Sequence, residues 1–472
     1  MVRRALQAIT KDLRAFGCRM ALALGGKPRA GLHAYRFRED GGQRRLHLRI
    51  HEDGSGALFV DVSHVIHLTP SAALIVRMLL EGMPASRVAS ALSEWHPAAS
   101  PERIAADVQL LEGVVDALKV RDGRCPTCVG ELERSAISSR RAQAPYKADL
   151  ALTYACNNRC AHCYNEPGRG GPSSLSHRQW RQVIRRLART GVPHLIFTGG
   201  EPTLHEALPD LVRCAERLGL VTGVNTNGRR LADAAFAGRL KRAGLDHIQI
   251  TLASTRPSMH NRTVGAQAFE ETVQGIHNCL AAGLHTITNT TLTRQNSWEA
   301  PGIVDFVHGL GVRAFAMNGM ICAGGGRGSL DALTEADLIP VLEAVRDRAE
   351  ALGMRFLWYT PTEYCALSPL ELGLGAKSCN AAEYSVCVEP NGDVLPCQSY
   401  YQPAGNLLQD EWPAIWDSPL FRQIRLRREN PRVAGLDERC YECPDLEVCG
   451  GGCPLQREER RKEALIHVRQ GD

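Results

Sequence analysis

From residue 149 onward the chain alternates short apolar runs with longer segments whose apolar residues recur at helical spacing. That is the pattern of a parallel sheet wound with crossover helices. Strands are expected near Leu150–Tyr154, His194–Thr198, Val221–Asn225, His247–Leu252, Thr286–Thr291 and Arg313–Met317. Helices are expected over Ser176–Thr190, His205–Leu218, Ala232–Arg242, Ala268–Ala282 and Pro301–Gly309, most of them ending in glycine or preceded by a polar cap. Six such units predict an α/β fold over 149–360, a partial (βα)6 barrel, because six strands do not close the eight-stranded form.

Ahead of it, residues 44–121 read as a separate unit. Arg45–Ile50 alternates, Ala57–Asp61 follows an Asp53-Gly-Ser-Gly turn, and His67–Ala73 leads into an amphipathic helix ending at Gly82. Helices near Ala85–Glu94 and Ile104–Leu118 complete a module of strands and three helices. Residues 122–148 form a polar linker that carries Cys125 and Cys128, readable as half a zinc site, a redox pair or supplementary cluster ligands.

Length and charge exclude more than they assign. At 472 residues the chain exceeds one core and fits about three domains. A net charge of +5 is too small to argue for nucleic acid, and the third helix of the N-terminal unit concentrates no basic residues. No apolar run is long enough to cross a membrane. Near the N-terminus Ile9, Leu13 and Phe16 are interrupted by Lys11, Asp12 and Arg14, so no signal peptide is read and a cytoplasmic location is expected. In a reducing compartment, 17 cysteines point to metal wherever they cluster. Cys18, Cys214, Cys279 and Cys322 stand alone and read as core packing.

Cys156-Asn-Asn-Arg-Cys160-Ala-His-Cys163 directly follows the first expected barrel strand. Three thiolates cannot complete a four-iron cube, so one iron keeps a position open for an exogenous ligand. A zinc site would need a fourth ligand, and His162 falls inside the loop itself. At the end of the second strand stands Gly199-Gly200-Glu201-Pro202-Thr203. Together the two motifs resemble those of the radical S-adenosylmethionine (radical SAM) superfamily. The resemblance implies a catalytic [4Fe–4S] cluster on Cys156, Cys160 and Cys163 that reductively cleaves S-adenosylmethionine to a 5′-deoxyadenosyl radical. It also implies a low-potential electron donor such as flavodoxin or ferredoxin.

On this reading Gly199 and Gly200 let backbone approach the bound amino acid, and Glu201 accepts hydrogen bonds from its ammonium group. Further contacts are expected where strands end, at Asn225, Thr226, Asn227, Thr251, Ser254 and Asn289, with ordinary turn chemistry as the alternative. The superfamily often has Ser-x-Asp after the fourth strand, whereas this chain has Thr251-Leu-Ala253. Arg262 resembles the basic residue that follows in many members and is expected to pair with the cofactor carboxylate. Gly324-Gly-Gly-Arg-Gly328 lacks the lysine and spacing of a phosphate loop and is expected as a flexible loop over the barrel mouth.

Eight cysteines fall between Cys365 and Cys453, too dense for core packing. Cys379, Gly392 and Cys397, followed by Cys440-x2-Cys443-x5-Cys449-x3-Cys453, resemble a SPASM domain in six of its seven cysteine positions. That resemblance implies one or two auxiliary iron–sulfur clusters within 361–472. The first would use Cys379, Cys397 and Cys453 with Cys365 or Cys387 as fourth ligand, and the second Cys440, Cys443 and Cys449. No cysteine follows Cys453. The last ligand of the second cluster is therefore Cys387, Asp445, His467 or a cysteine from outside the field; otherwise an iron is open.

Leu68–Ala73, Leu80-Glu-Gly82 and Asp107–Leu111 resemble the signature of PqqD-like domains, winged-helix modules that capture leader peptides by strand addition. A winged helix used for packing or for DNA is the alternative. The combination implies a maturase that oxidatively modifies a ribosomally made peptide bearing a leader. Two alternatives stand beside it: a maturase of a protein side chain or of a cofactor precursor such as a tetrapyrrole, and a non-catalytic iron–sulfur carrier or peptide-binding scaffold.

Overall fold

The computed structural model describes residues 30–39, 42–120, 142–166 and 174–461. The chain divides into two compact units, the first containing the described residues up to 120 and the second most of the chain from 142 on.

In the first unit, β1 (Gly31–Glu39), β2 (Gly42–Ile50), β3 (Gly56–Val60) and β4 (His64–Leu68) form an antiparallel meander in sequential order. Helices α1 (Pro70–Leu80), α2 (Ala85–Trp95) and α3 (Pro101–Lys119) follow. Thr69 starts α1: its Oγ1 accepts the Ala72 N–H at 3.3 Å, and Pro70 sits where no amide hydrogen is needed. Ser100 and Pro101 repeat the device for α3. Leu46, Leu48, Leu58 and Val60 from the sheet meet Ile75, Met78, Val108 and Leu118 from the helices in one core. Each such aliphatic side chain contributes about 1.5–3 kcal/mol on burial, so packing holds these short helices. β1 pairs with β2 continuously from Gly31↔Ile50 to Glu39↔Gly42. The folded unit therefore begins ahead of residue 44. Charged residues interleaved along the edge strand β1 dilute its apolar signal, which is why the pattern alone starts later.

The second unit holds a nine-stranded sheet. Its first seven strands are β5 (Lys147–Thr153), β6 (His194–Gly199), β7 (Val221–Thr226), β8 (His247–Thr251), β9 (His285–Thr291), β10 (Ala314–Asn318) and β11 (Arg355–Trp358). They lie parallel and in sequential order. The connecting helices are α4 (His177–Thr190), α5 (Leu208–Arg217), α6 (Ala234–Ala243), α7 (Pro257–Val264), α8 (Phe269–Ala281), α9 (Ala300–Gly309) and α10 (Glu335–Ala351). All six expected strands are present, and β11 adds a seventh. β12 (Ser385–Val388) then pairs parallel with β5, and β13 (Val394–Leu395) pairs antiparallel with β12. Residue 360 is thus no break in the sheet, because the cysteine-rich segment contributes strands to the barrel's first edge.

β8 shows how the barrel sorts its side chains. Ile248 and Ile250 are fully buried, while His247, Gln249 and Thr251 on the other face are only partly so. The apolar face packs beneath the helices and the polar face is left to the lumen.

Candidate active site and auxiliary cysteine field

β5 delivers the chain to Cys156, and the loop from there to Cys163 is fixed by its backbone. Arg159 donates its N–H to Val264 O at 2.9 Å, Ala161 to Thr263 O at 3.1 Å, and Gly325 donates to Cys163 O at 2.8 Å. Arg229 Nη1 reaches Asn157 O at 2.5 Å, and Asn227 Nδ2 reaches Asn157 Oδ1 at 2.7 Å. Three separate elements therefore converge to present three thiols at the end of β5. Gly324–Gly326, expected as a flexible loop over the barrel mouth, instead makes a short 3-10 turn packed on the cysteine loop.

Burial pushes the Cys160 thiol up to about 12 and raises those of Cys156 and Cys163. Without a bound cation these ligands stay protonated at neutral pH; a metal centre is what allows thiolates here. Among the described residues no three His, Cys, Asp or Glu side chains lie close enough to share a single ion. In a cluster each thiolate binds a different iron, so the thiols need not converge on a single ion.

Gly199 and Gly200 are required by close packing within the chain itself. A Cβ on Gly199 would sit 2.2 Å from Thr153 O, and one on Gly200 would sit 2.5 Å from Ala155 O. The backbone they admit is the chain's own, with Gly200 N–H donating to Thr153 O at 2.7 Å and Glu201 N–H to Ala155 O at 2.9 Å. Glu201 is buried and already well supplied with donors. Oε1 accepts from Thr203 N at 3.0 Å, Thr203 Oγ1 at 2.6 Å and Thr226 Oγ1 at 2.6 Å, and Oε2 accepts from Asn227 N at 2.8 Å. Its burial raises the carboxyl pKa and those donors pull it back down. One acceptor direction on Oε2 remains for an ammonium group.

Register brings the strand-end candidates together. Asn225 pairs with Gln249, and Thr251 pairs with Asn289. Paired positions point to one face, so all four line the lumen side by side. Asn289 Nδ2 donates to Asn318 Oδ1 at 2.9 Å, while its buried Oδ1 has no partner. Sequence reasoning missed Gln249 and Asn318; the signal for Gln249 was its place between Ile248 and Ile250. Thr226, Asn227 and Ser254 serve local structure: the first two hold Glu201 and Asn157, and Ser254 Oγ accepts from Arg256 N at 3.0 Å. Arg262 is exposed in the last turn of α7, next to the Thr263 and Val264 carbonyls that anchor the cysteine loop.

The cysteine field begins beside this site. Tyr154 OH donates to Glu389 Oε1 at 2.5 Å, and Tyr164 OH, next to Cys163, donates to Gln398 Oε1, next to Cys397, at 3.4 Å. Burial first, and the neighbouring Cys379 second, raise the thiols of Cys397 and Cys453, so these three cysteines are neighbours. Gly450, Gly451 and Gly452 all have positive φ, 64°, 71° and 66°, and this left-handed run turns the chain from Cys449 to Cys453. Cys365 and Cys387, the alternatives for the fourth ligand of the first group, are placed apart, with Cys387 near Cys397. Cys365 has Cys449 and Cys440 as its thiol neighbours, not the first group. Cys387 lies on β12 with its thiol packed among Ala151 and Leu395. Cys125, Cys128 and His467 lie outside the described residues.

Comparison with known proteins agrees with this geometry. The radical SAM superfamily model matches residues 150–307, and the SPASM model, an iron–sulfur cluster-binding domain, matches residues 379–444. A PqqA peptide cyclase of Streptomyces rochei is 31% identical over 323 residues, covering 66% of this chain and 85% of its own. An Fe-coproporphyrin III synthase of Methanosarcina barkeri is 28% identical, covering 65% and 82%. Among solved structures, Streptococcus suis SuiB bound to precursor peptide SuiA superposes with a TM-score of 0.66 at 18% identity, over 89% of this chain and 96% of that one. No helix among the described residues is long and apolar enough to cross a membrane. The thiol geometry and both family matches converge: the chain is an enzyme of the radical SAM superfamily with a C-terminal SPASM domain, using S-adenosylmethionine, a [4Fe–4S] cluster and auxiliary iron–sulfur clusters.

Proposed function

We propose that this enzyme oxidatively modifies a ribosomally synthesised peptide in the cytoplasm, with residues 31–119 acting as a PqqD-like dock for its leader. The observation that carries the reading is the N-terminal unit. The order β1-β2-β3-β4 leaves β1 and β4 as sheet edges among the described residues, and helices pack beside them. A strand at a sheet edge can offer main-chain hydrogen bonds to an extended peptide, and flanking pockets select its side chains. A similar fold over 89% of the chain is that of Streptococcus suis SuiB, bound to precursor peptide SuiA, and the Streptomyces rochei relative is a PqqA peptide cyclase.

Bound together, the cluster and S-adenosylmethionine supply reductive carbon–sulfur cleavage and hydrogen-atom abstraction. Cys156, Cys160 and Cys163 hold the cluster. Gly199 and Gly200 set the backbone beside it, and Glu201 keeps one acceptor direction for the ammonium group. Asn225, Gln249, Thr251 and Asn289 offer the lumen's polar contacts, and Arg262 meets the cofactor carboxylate at the rim. The protein's part is to orient these groups and exclude water. The C-terminal cysteines would hold auxiliary clusters, whose electron-accepting chemistry would suit a net oxidation such as a crosslink. A flavodoxin or ferredoxin supplies the electron that starts turnover.

The test is binding and turnover with short precursors encoded beside the gene. Tight binding to the full-length protein that is lost when the leader is removed is expected, together with product formation dependent on the leader. Failure to bind any leader, with turnover unchanged after residues 1–125 are deleted, would overturn the peptide reading. The Methanosarcina barkeri relative favours a second reading, a tetrapyrrole precursor as substrate, and turnover of a porphyrin would establish it.

A further inference from the structure

Cys440, Cys443 and Cys449 give the second group of the C-terminal field three thiols, one fewer than a fully thiolate-bound cluster needs. The fold brings a fourth from upstream. Thr362–Cys365 runs directly against the loop bearing Cys440, Cys443 and Cys449. Tyr364 N–H donates to Cys449 Sγ at 3.4 Å, and that sulfur lies 3.7 Å from Thr362 O. Glu363 Oε2 accepts from Arg439 Nη2 at 2.8 Å, and Arg439 immediately precedes Cys440. A Cβ on Gly452 would meet Glu363 N at 3.0 Å, so the last glycine of the left-handed run exists to let the two segments touch. Cys365 follows Tyr364, and it is exposed rather than packed into the core.

We propose that Cys365 is the fourth thiolate of the second auxiliary cluster, completing Cys440, Cys443 and Cys449 from upstream. The assignment rests on the C-terminal field holding iron–sulfur clusters. Cys387 is less well placed: it is on β12 with its thiol packed among Ala151 and Leu395, near Cys397 of the other group. Arg439, beside both Cys365 and Cys440, offsets the negative charge that four thiolates bring. A cluster closed by four thiolates has no vacant iron for substrate, so this one transfers electrons.

The test uses the full chain with Cys156, Cys160 and Cys163 replaced by alanine, so that only auxiliary clusters form on anaerobic reconstitution. Adding Cys365→Ala is expected either to lower bound iron by about four atoms per chain or to give a three-iron EPR signal on mild oxidation. Cys387→Ala, Asp445→Ala and His467→Ala are expected to leave the second cluster's iron and spectrum unchanged. Unchanged iron and spectrum with Cys365→Ala would overturn the assignment, as would loss of the second cluster in any of the three others. A parent that takes up no iron would overturn the auxiliary-cluster reading and this assignment together. A measurement on the unmutated protein covers misfolding of the variants: iodoacetamide should label Cys365 in iron-free protein and spare it when loaded. Equal labelling in both states would also overturn the assignment.

Discussion

The backbone N–H of Gly325 donates to the carbonyl of Cys163 at 2.8 Å, joining the loop after β10 to the last of the three thiols at the end of β5. A Cβ at residue 325 would sit 2.3 Å from Ala161 O, a distance that real contacts do not tolerate. The glycine is thus part of the mould that shapes the cysteine loop, although it lies 162 residues beyond Cys163 in sequence.

Gly325→Ala is expected to push the loop off its position and lower iron retention by the catalytic cluster at least several-fold, with little loss of global stability because the barrel core is untouched. Iron content after gel filtration, read beside the thermal midpoint, checks this. An equal fall in both would assign the glycine to general folding.

Glu201→Gln keeps the shape of the side chain but sets an NH2 group against donors on one side or the other. Four donors currently meet the carboxylate. At least one buried donor loses its acceptor, at a cost of about 1–3 kcal/mol. Denaturant unfolding should show that loss, and S-adenosylmethionine binding measured by calorimetry should weaken with it. Retained stability with weakened binding would mean that ammonium contact dominates.

Cluster loading should release protons. The Cys156, Cys160 and Cys163 thiols are raised by burial, Cys160 to about 12, so all three are protonated before iron arrives. Binding them as thiolates displaces up to about three protons per cluster. Apparent affinity for iron therefore rises as pH rises below the thiol pKa values, and chelators strip the centre more readily at low pH. Proton release into weak buffer during anaerobic reconstitution measures the effect directly.

His260 predicts an acid limit. Its buried Nδ1 accepts the Ala253 N–H at 3.3 Å, so the ring is neutral in the fold, and burial lowers its pKa to about 4. An unfolded histidine, near 6.5, binds a proton that the folded one refuses. The stabilisation is therefore complete above pH 6.5 and is lost as pH falls toward 4, on the order of 3 kcal/mol if the full shift is expressed. His260→Asn keeps an acceptor without the titration. Chemical unfolding at pH 7 and pH 4.5 should show a smaller difference for this variant than for the parent.

Much of the molecule was legible in the sequence because its signals were local. Ile248 and Ile250 announce a strand by alternation, and the helices expected over Ala268–Ala282 and Pro301–Gly309 run over Phe269–Ala281 and Ala300–Gly309. Cys156, Cys160 and Cys163 are confined to one short loop, so spacing alone reports their convergence. β11 and β12 escaped because each is four residues long, and a run so short has no period to read. β1 escaped because its charges lie on an edge strand. The GGE glycines were read toward a ligand, whereas the atoms they make room for belong to Thr153 and Ala155.

By itself the sequence determined the alternating strand–helix order, the three-thiol loop with its open iron and the incomplete cysteine pattern of the C-terminal field, since each is written in neighbouring residues. Only the tertiary structure decided that Gly325 shapes the cysteine loop, that β12 joins β5, that Asn225, Gln249, Thr251 and Asn289 share one lumen face, and that Cys365 meets Cys449. Those relationships are set by strand register and by backbone packing between distant segments. Both depend on how buried surfaces fit in three dimensions, and no spacing along the chain encodes that fit.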